Sequence, residues 1–315
     1  MFQVLTLVFP LFSLILLGYV AGRIAKLPIE GLGWLNFFVI YISLPALFFQ
    51  LLSKTPVEEF SNFSFLAATT FATLVIFCVA FFIAALRNRG NVAESTIQGF
   101  ASAYGNVGYL GPPIAIAAFG PAAGVPAALI FCFDNAMHFT LAPLLMALDS
   151  EEEKSALTLT RQILLKIISH PFILATIAGI AAAVFEVQPP QPVERLLGLL
   201  SSAAAPCALF AMGVAAALRP LKTVPPELSY IVLLKLVIHP ALVWGLLTMM
   251  GGMEPIWVYT AVLLAALPTA TNVFVIAQQY GHWSERASSA IVVTTFLSTI
   301  TVTLVIYLIK QGYLG

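Results

Sequence analysis

Apolar residues in this chain do not alternate with polar ones. They run in blocks of about 20, the length needed to cross a bilayer as a helix. Such blocks fall at 3–22, 33–52, 64–86, 98–119, 124–148, 166–185, 196–218, 230–250, 257–279 and 288–310, which predicts ten membrane-spanning helices. The short links between them carry turn residues, among them Lys26-Leu27-Pro28, Lys54-Thr55-Pro56, Pro121-Ala122-Ala123-Gly124 and Gly251-Gly252. The longest polar link, DSEEEKSALTLTR at 149–161, lies at mid-chain. Two blocks are built to break in their middle. The fourth contains Gly105-Asn106-Val107-Gly108-Tyr109-Leu110-Gly111-Pro112-Pro113, and the ninth contains Leu267-Pro268-Thr269-Ala270-Thr271-Asn272. Glycine loosens a helix and proline removes a donor. In hydrocarbon, unsatisfied backbone survives only inside protein or beside a wet cavity. Each break therefore marks a candidate binding site.

The pattern repeats. Pro10 and Pro171, Gly18 and Gly179, Pro28 and Pro189, Pro45 and Pro206, and Phe49 and Phe210 all stand at one constant offset, and Phe119-Gly120 meets Tyr280-Gly281 at the same offset. The predicted organisation is a five-helix unit at 1–148, a linker at 149–165 and a second five-helix unit at 166–315. An odd number of spans per unit inverts the second relative to the first. Broken segments at corresponding positions of inverted units are the mark of a secondary transporter's site.

Composition agrees with a polytopic, all-α membrane protein: 60% of the 315 residues are hydrophobic, 9% are charged and mean hydropathy is +0.99. Soluble domains carry roughly 25% charged residues. Formal net charge is zero, so nothing points to nucleic acid. Cys78, Cys132 and Cys207 lie in apolar blocks with no metal or disulfide spacing, and neither a metal nor a cofactor is expected. The N-terminal block lacks a basic leader and reads as a first span rather than a cleaved signal. One set of links holds Arg23, Lys26, Arg87, Arg89, Lys154, Arg161, Lys166, Arg219, Lys222 and Arg286; the opposite set holds Lys54, Arg195 and Lys310. The richer side is expected to be cytoplasmic, which puts both termini and the short basic-poor links outside the inner membrane.

Chemistry is sparse and therefore informative. Half-helix N-termini suit an anion, freed carbonyls suit a cation or proton donor, and the amides of Asn106 and Asn272 supply both kinds of group. Packing kinks are the alternative for these breaks. Asp134 is the one acidic residue deep in a span, and an intramembrane carboxylate marks a proton relay, ion site or substrate contact. Asn135 flanks it and His138 shares its helical face, while a structural hydrogen bond or ion pair is the alternative role. Lys235 and His239 share a face of the eighth span; Lys235 either snorkels to the cytoplasmic surface or serves as counter-charge to Asp134 or to an anion. His170 reads as interfacial, and Gln50 and Gln278 as solvated at span ends.

GNVGYLGPPIA in span four, LPTATNVFVIAQQYG in span nine, LPALFFQLL in span two and LFAMGVAAAL in span seven together resemble the auxin efflux carrier family, within the bile acid/arsenite/riboflavin-type transporter superfamily. The resemblance covers most of the chain, and the two broken motifs are its most specific part. It implies that helices four and nine unwind and cross within a transport domain of helices 3–5 and 8–10, which moves in an elevator manner against a scaffold of helices 1, 2, 6 and 7. The family's crossover positions fall on Asn106, Pro112, Pro113 and Pro268. Two departures stand out: the central hydrophilic loop of many plant members is absent, and Asp134 stands where plant carriers tend to have an uncharged amide.

The expected function is a non-enzymatic secondary transporter of small organic anions, carboxylates or auxin-like acids, working by alternating access. Asn106, Gly108, Gly111, Pro112, Pro113, Pro268, Thr269, Thr271 and Asn272 form the expected substrate site, and Asp134, Asn135, His138, Lys235 and His239 the coupling site for a proton or sodium. The bilayer is the expected surrounding, and a homodimer is compatible with it. An intramembrane enzyme is the first rival; an aspartyl protease would want two deep aspartates, and only Asp134 is visible. A channel or a sensor on a transporter fold is the second.

Overall fold

A computed structural model describes residues 2–25, 28–148, 160–161, 164–165, 168–218 and 224–314. Most of the expected 149–165 linker, and Lys26, Lys154, Lys166, Arg219 and Lys222 of the charge-rich side, lie outside the described residues.

Helices appear where the apolar blocks place them. They are α1 (Phe2–Ala25), α2 (Gly33–Phe38), α3 (Leu44–Leu52), α4 (Phe63–Arg87), α5 (Val92–Ala103), α6 (Gly111–Phe119), α7 (Gly124–Leu148), α8 (Pro171–Val184), α9 (Gln191–Leu218), α10 (Leu228–Leu233), α11 (His239–Met250), α12 (Pro255–Ala265), α13 (Asn272–Tyr280) and α14 (Ser284–Lys310). Wide π turns at Val39–Ser43 and Leu234–Ile238 join α2 to α3 and α10 to α11, making continuous helices 33–52 and 228–250. Each π turn stands just ahead of a proline, Pro45 or Pro240, whose ring crowds the carbonyl four residues back and removes its α-helical donor. Among the described residues, six helices are long and apolar enough to cross a membrane, and no strand is present beyond one isolated bridge. The outward surface is apolar, with Trp34, Phe82 and Leu86 exposed, as a bilayer solvent demands.

Three helices begin a full turn or more ahead of the hydropathy pattern. α5 starts at Val92 behind an Asn91 cap whose side chain accepts from Glu94 N at 2.8 Å. α9 takes in Glu194 and Arg195, and α14 takes in Glu285 and Arg286. Hydropathy stops at the first charges, whereas backbone hydrogen bonding continues into them, and acidic first turns suit the helix dipole.

Packing among the helices is reciprocal. α1 lies along α9, and α3 lies along α8. Gly18 sits against the backbone of Phe210, and Gly179 against the backbone of Phe49, where a Cβ would stand 2.9 Å from Leu52 Cβ. Small residues allow such close backbone approach in membranes, where packing rather than the hydrophobic effect holds helices together. Two apolar clusters fill the remainder. One gathers Val107, Leu110, Leu264 and Leu267; the other gathers Ala103, Tyr104, Ala270 and Val273. The two broken segments cross where these clusters meet.

Candidate substrate and coupling site

The breaks satisfy each other. Asn106 N donates to Pro268 O at 2.8 Å, and Ala270 N donates to Tyr104 O at 2.8 Å, an antiparallel bridge centred on Gly105 and Thr269. Four backbone groups freed by unwinding are thus paired at once, which lets irregular backbone persist at depth. Pro112 and Pro113 fall in the first turn of α6, where an N–H has no intrahelical acceptor, so the helix restarts without loss. Gly120 and Gly281 end the two half-helices at φ 90° and 73°, a region that a side chain disfavours.

One face of the crossing opens a cavity of about 60 Å3, walled by Asn106, Gly108 and Tyr109 from the first break and by Ala270, Thr271 and Asn272 from the second. That is well below the roughly 300 Å3 at which drug-sized pockets begin, so it suits a small ligand. Asn106 Nδ2 lies 3.4 Å from Met212 Sδ on α9. Asn272 Nδ2 donates to the Tyr104 hydroxyl at 2.9 Å, the Tyr104 hydroxyl donates to Asn135 Oδ1, and Asn135 Nδ2 donates to Phe131 O at 2.7 Å. Gly108 is tight against Phe131: a Cβ there would stand 2.7 Å from Phe131 Cε2. His170, half-buried, lines the same cavity and packs on Phe139 with ring centroids 5.3 Å apart.

The other expected substrate residues stand elsewhere. Gly111, Pro112 and Pro113 are buried in the α6 start, with Gly111 against Leu264. Pro268 faces an apolar crevice of about 370 Å3 with Leu110, Met212, Leu267 and Phe296. Thr269 is buried, and its hydroxyl donates to Ala101 O at 2.7 Å while its N–H donates to Thr294 Oγ1 at 3.2 Å. These residues frame the crossing rather than line the polar cavity.

Behind the crossing lies a buried polar knot. Lys235 is fully buried, so its ammonium turns inward instead of snorkelling. Its Nζ donates to Ala265 O at 2.7 Å, which caps the C-terminus of α12 with a cation, and stands 3.2 Å from His239 Nδ1. His239 Nε2 is 3.3 Å from Thr73 Oγ1, and Thr73 Oγ1 donates to Asp134 Oδ1 at 3.2 Å. One assignment of hydrogens serves the whole series: Lys235 donates to His239 Nδ1, His239 Nε2–H to Thr73, and the Thr73 hydroxyl to Asp134. Asp134, Thr73, Lys235 and His239 share a cavity of about 10 Å3, close to the space of one water. His138 is brought near in a different way from that expected. Its Nδ1 is 2.5 Å from the backbone carbonyl of Asp134, its ring stacks on Tyr104 at 3.9 Å, and Nε2 has no hydrogen-bond partner. Gln50 is half-buried, accepting from Ser201 Oγ at 2.7 Å, while Gln278 is exposed.

Sequence reasoning passed over Thr73, Tyr104 and Met212. Tyr104 adjoins the broken motif and was open to notice there. Thr73 is one of many hydroxyls in apolar helices, and Met212 is an ordinary apolar residue, so neither carries a local signal.

Residues 3–306 match the family described as Membrane transport protein. The chain is 54% identical over 314 residues to the "Putative malonate transporter" of Rhizobium meliloti (strain 1021), covering 100% of this chain and 98% of that protein. It is 24% identical over 291 residues to the "Uncharacterized transporter" of Methanothermobacter thermautotrophicus, covering 92% of this chain and 93% of that protein.

Proposed function

From the premise that the chain belongs to the Membrane transport protein family, that of the auxin efflux carriers, we propose that it is a secondary carrier of small organic anions. Malonate is the first candidate, because the Rhizobium relative, alike over its whole length, bears that name. The observation that carries this reading is the crossing itself: two broken segments, mutually hydrogen-bonded, frame a small polar cavity with Asn106 and Asn272 on its wall. The α13 start brings partial positive charge to that cavity, which favours a carboxylate. At α6, two prolines remove donors, so that half-helix contributes less.

The reading extends to architecture. Ten spans in two inverted five-helix units are supported by the reciprocal contacts of Gly18 with Phe210 and Gly179 with Phe49, pairs that stand at one sequence offset. Helices α1, α2, α3, α8 and α9 serve as scaffold; the crossing and its surrounding helices move against them and present the cavity to each side in turn. Asp134, with Lys235, His239 and Thr73, carries the coupled proton; Asn135 and His138 hold Tyr104 over the site. The charge-rich links face the cytoplasm and both termini face outward.

Thermal-shift titration of the detergent-purified protein against malonate and other small acids tests the substrate class. A ligand at 100 times its Kd stabilises the bound state by about 2.7 kcal/mol, a readable shift. Stabilisation by malonate, together with uptake of labelled malonate into proteoliposomes, is the expected result. No shift and no uptake with any small carboxylate would overturn the proposal.

A further inference from the structure

Gly105 belongs to two walls. On one side its backbone lines the crossover cavity beside Asn106; on the other it lines the cavity of Asp134 and Lys235. A Cβ at this position would stand 3.2 Å from Lys235 Nζ. With hydrogen in its place, a single peptide separates the ammonium from the crossover cavity. Among the described residues lining that cavity there is no Lys or Arg, and the ionisable side chains are Tyr104, Tyr109 and His170. The lysine or arginine side chain nearest an anion held there is therefore Lys235, acting across Gly105.

The groups around Lys235 and Asp134 set the charge balance of the knot. α7 brings the Asp134 carboxylate and the His138 imidazole, the crossing brings Tyr104, and the lysine's own helix brings His239. α4 contributes the uncharged Thr73, and α12 contributes the Ala265 carbonyl. One ammonium thus faces one carboxylate. With Asp134 ionised the knot is neutral, and an anion arriving at the crossing would be an uncompensated charge in a buried place. When Asp134 takes a proton from a hydronium ion in the adjoining water, one O–H bond of that ion breaks as one forms on the carboxyl, and a neutral water is left. The knot then carries one positive charge, which a single negative charge at the crossing balances.

Resting on the carboxylate reading above, we propose that Lys235 serves one negative charge at a time, Asp134 in the empty carrier and the substrate carboxylate in the loaded one. One proton and one monoanion then cross together without net charge. A diacid such as malonate is carried as its monoanion.

The test uses the full chain in proteoliposomes, with labelled malonate and labelled monomethyl malonate, in which an ester fixes the charge at one. Both are expected to accumulate under an inside-alkaline pH gradient, and neither under a potassium diffusion potential or a sodium gradient at equal pH. Thermal-shift titration should show monomethyl malonate binding to the wild type weakening about tenfold per pH unit once Asp134 ionises, the slope for linkage to one proton. In Asp134→Asn that binding should persist without the pH slope, and exchange should survive while pH-driven accumulation is lost. Lys235→Met leaves Asp134 without its counter-charge, so the Asp134→Asn/Lys235→Met pair, which removes both charges, is the cleaner variant; it should fold and lose monoanion binding. Accumulation driven by potential or sodium alone, binding of malonate that strengthens as it becomes a dianion, or monoanion binding retained in the double variant would each overturn the inference while leaving a carboxylate carrier in place. Failure of both acids to bind at any pH would overturn the carboxylate reading and this inference with it.

Discussion

At the scale of the residue, charges in this protein are placed where a partner awaits them. Glu227, just ahead of α10, is buried, which pushes its carboxyl up; hydrogen bonds from its own backbone, from Trp283 Nε1 and from Arg286, with the Arg286 charge, outweigh that and hold it below its ordinary value. Arg286 Nη1 stands 2.6 Å from Glu227 Oε1, fastening the start of α10 to the start of α14. A carboxyl depressed in the folded state stabilises above its unfolded pKa, and that contribution is lost as pH falls through the folded value. Glu227→Gln should therefore lower stability near neutral pH, by roughly 1 kcal/mol given that Arg286 is half exposed. The difference from wild type should close below the ordinary carboxylate range. Melting temperatures of both proteins across pH measure this, and a gap that stays constant with acidification would show that the ion pair contributes nothing.

At the scale of the element, helices here are shaped by where hydrogen bonding is interrupted. Pro268 has no N–H, and its carbonyl accepts from Asn106 N. Pro268→Ala adds a donor among buried apolar groups and lets α12 continue past Ala265. Transport should fall roughly tenfold or more, equivalent to about 1.4 kcal/mol or more, while the protein still purifies as a folded monodisperse species. Wild-type uptake by Pro268→Ala proteoliposomes would reduce the break to a packing kink. The seams between helices make a parallel case. Gly18 on α1 and Gly179 on α8 occupy matching positions and meet backbone in each case. Gly18→Leu and Gly179→Leu should each destabilise by about 1–3 kcal/mol, the usual range for overpacking. Melting in detergent checks both; a loss confined to one of them would argue against equivalent seams.

At the scale of the whole molecule, the proposed inverted repeat and the bias of basic residues make one topological prediction. A single cysteine added after Gly315, in a background with Cys78, Cys132 and Cys207 replaced, should react with a membrane-impermeant thiol reagent in intact spheroplasts. Labelling only after lysis would turn the molecule over and move the charge-rich links outside. The crossing itself would be unchanged.

Hydropathy showed that the chain is all-helical and roughly where its apolar helices lie, because a helix in lipid must satisfy its own backbone and so shows itself as an apolar block; six of them among the described residues are long and apolar enough to span. The interruptions were legible for the same reason: Pro112, Pro113 and Pro268 are conspicuous wherever a helix is otherwise required. The offset linking Gly18 to Gly179 and Phe49 to Phe210 was also in the sequence, yet only the folded chain set each glycine on the other half's phenylalanine. Tertiary structure alone decided the chemistry of the buried charges. Helical spacing put His138 on the face of Asp134, but the imidazole bonds to the backbone and stacks on Tyr104. Spacing from the span end left Lys235 free to snorkel, but Ala265 at the end of a distant half-helix offers it a carbonyl, and Thr73 from a third helix joins it to Asp134. Periodicity describes which side of one helix a residue is on; the partner of a charge is set by which helices meet there, and that depends on packing across the whole chain.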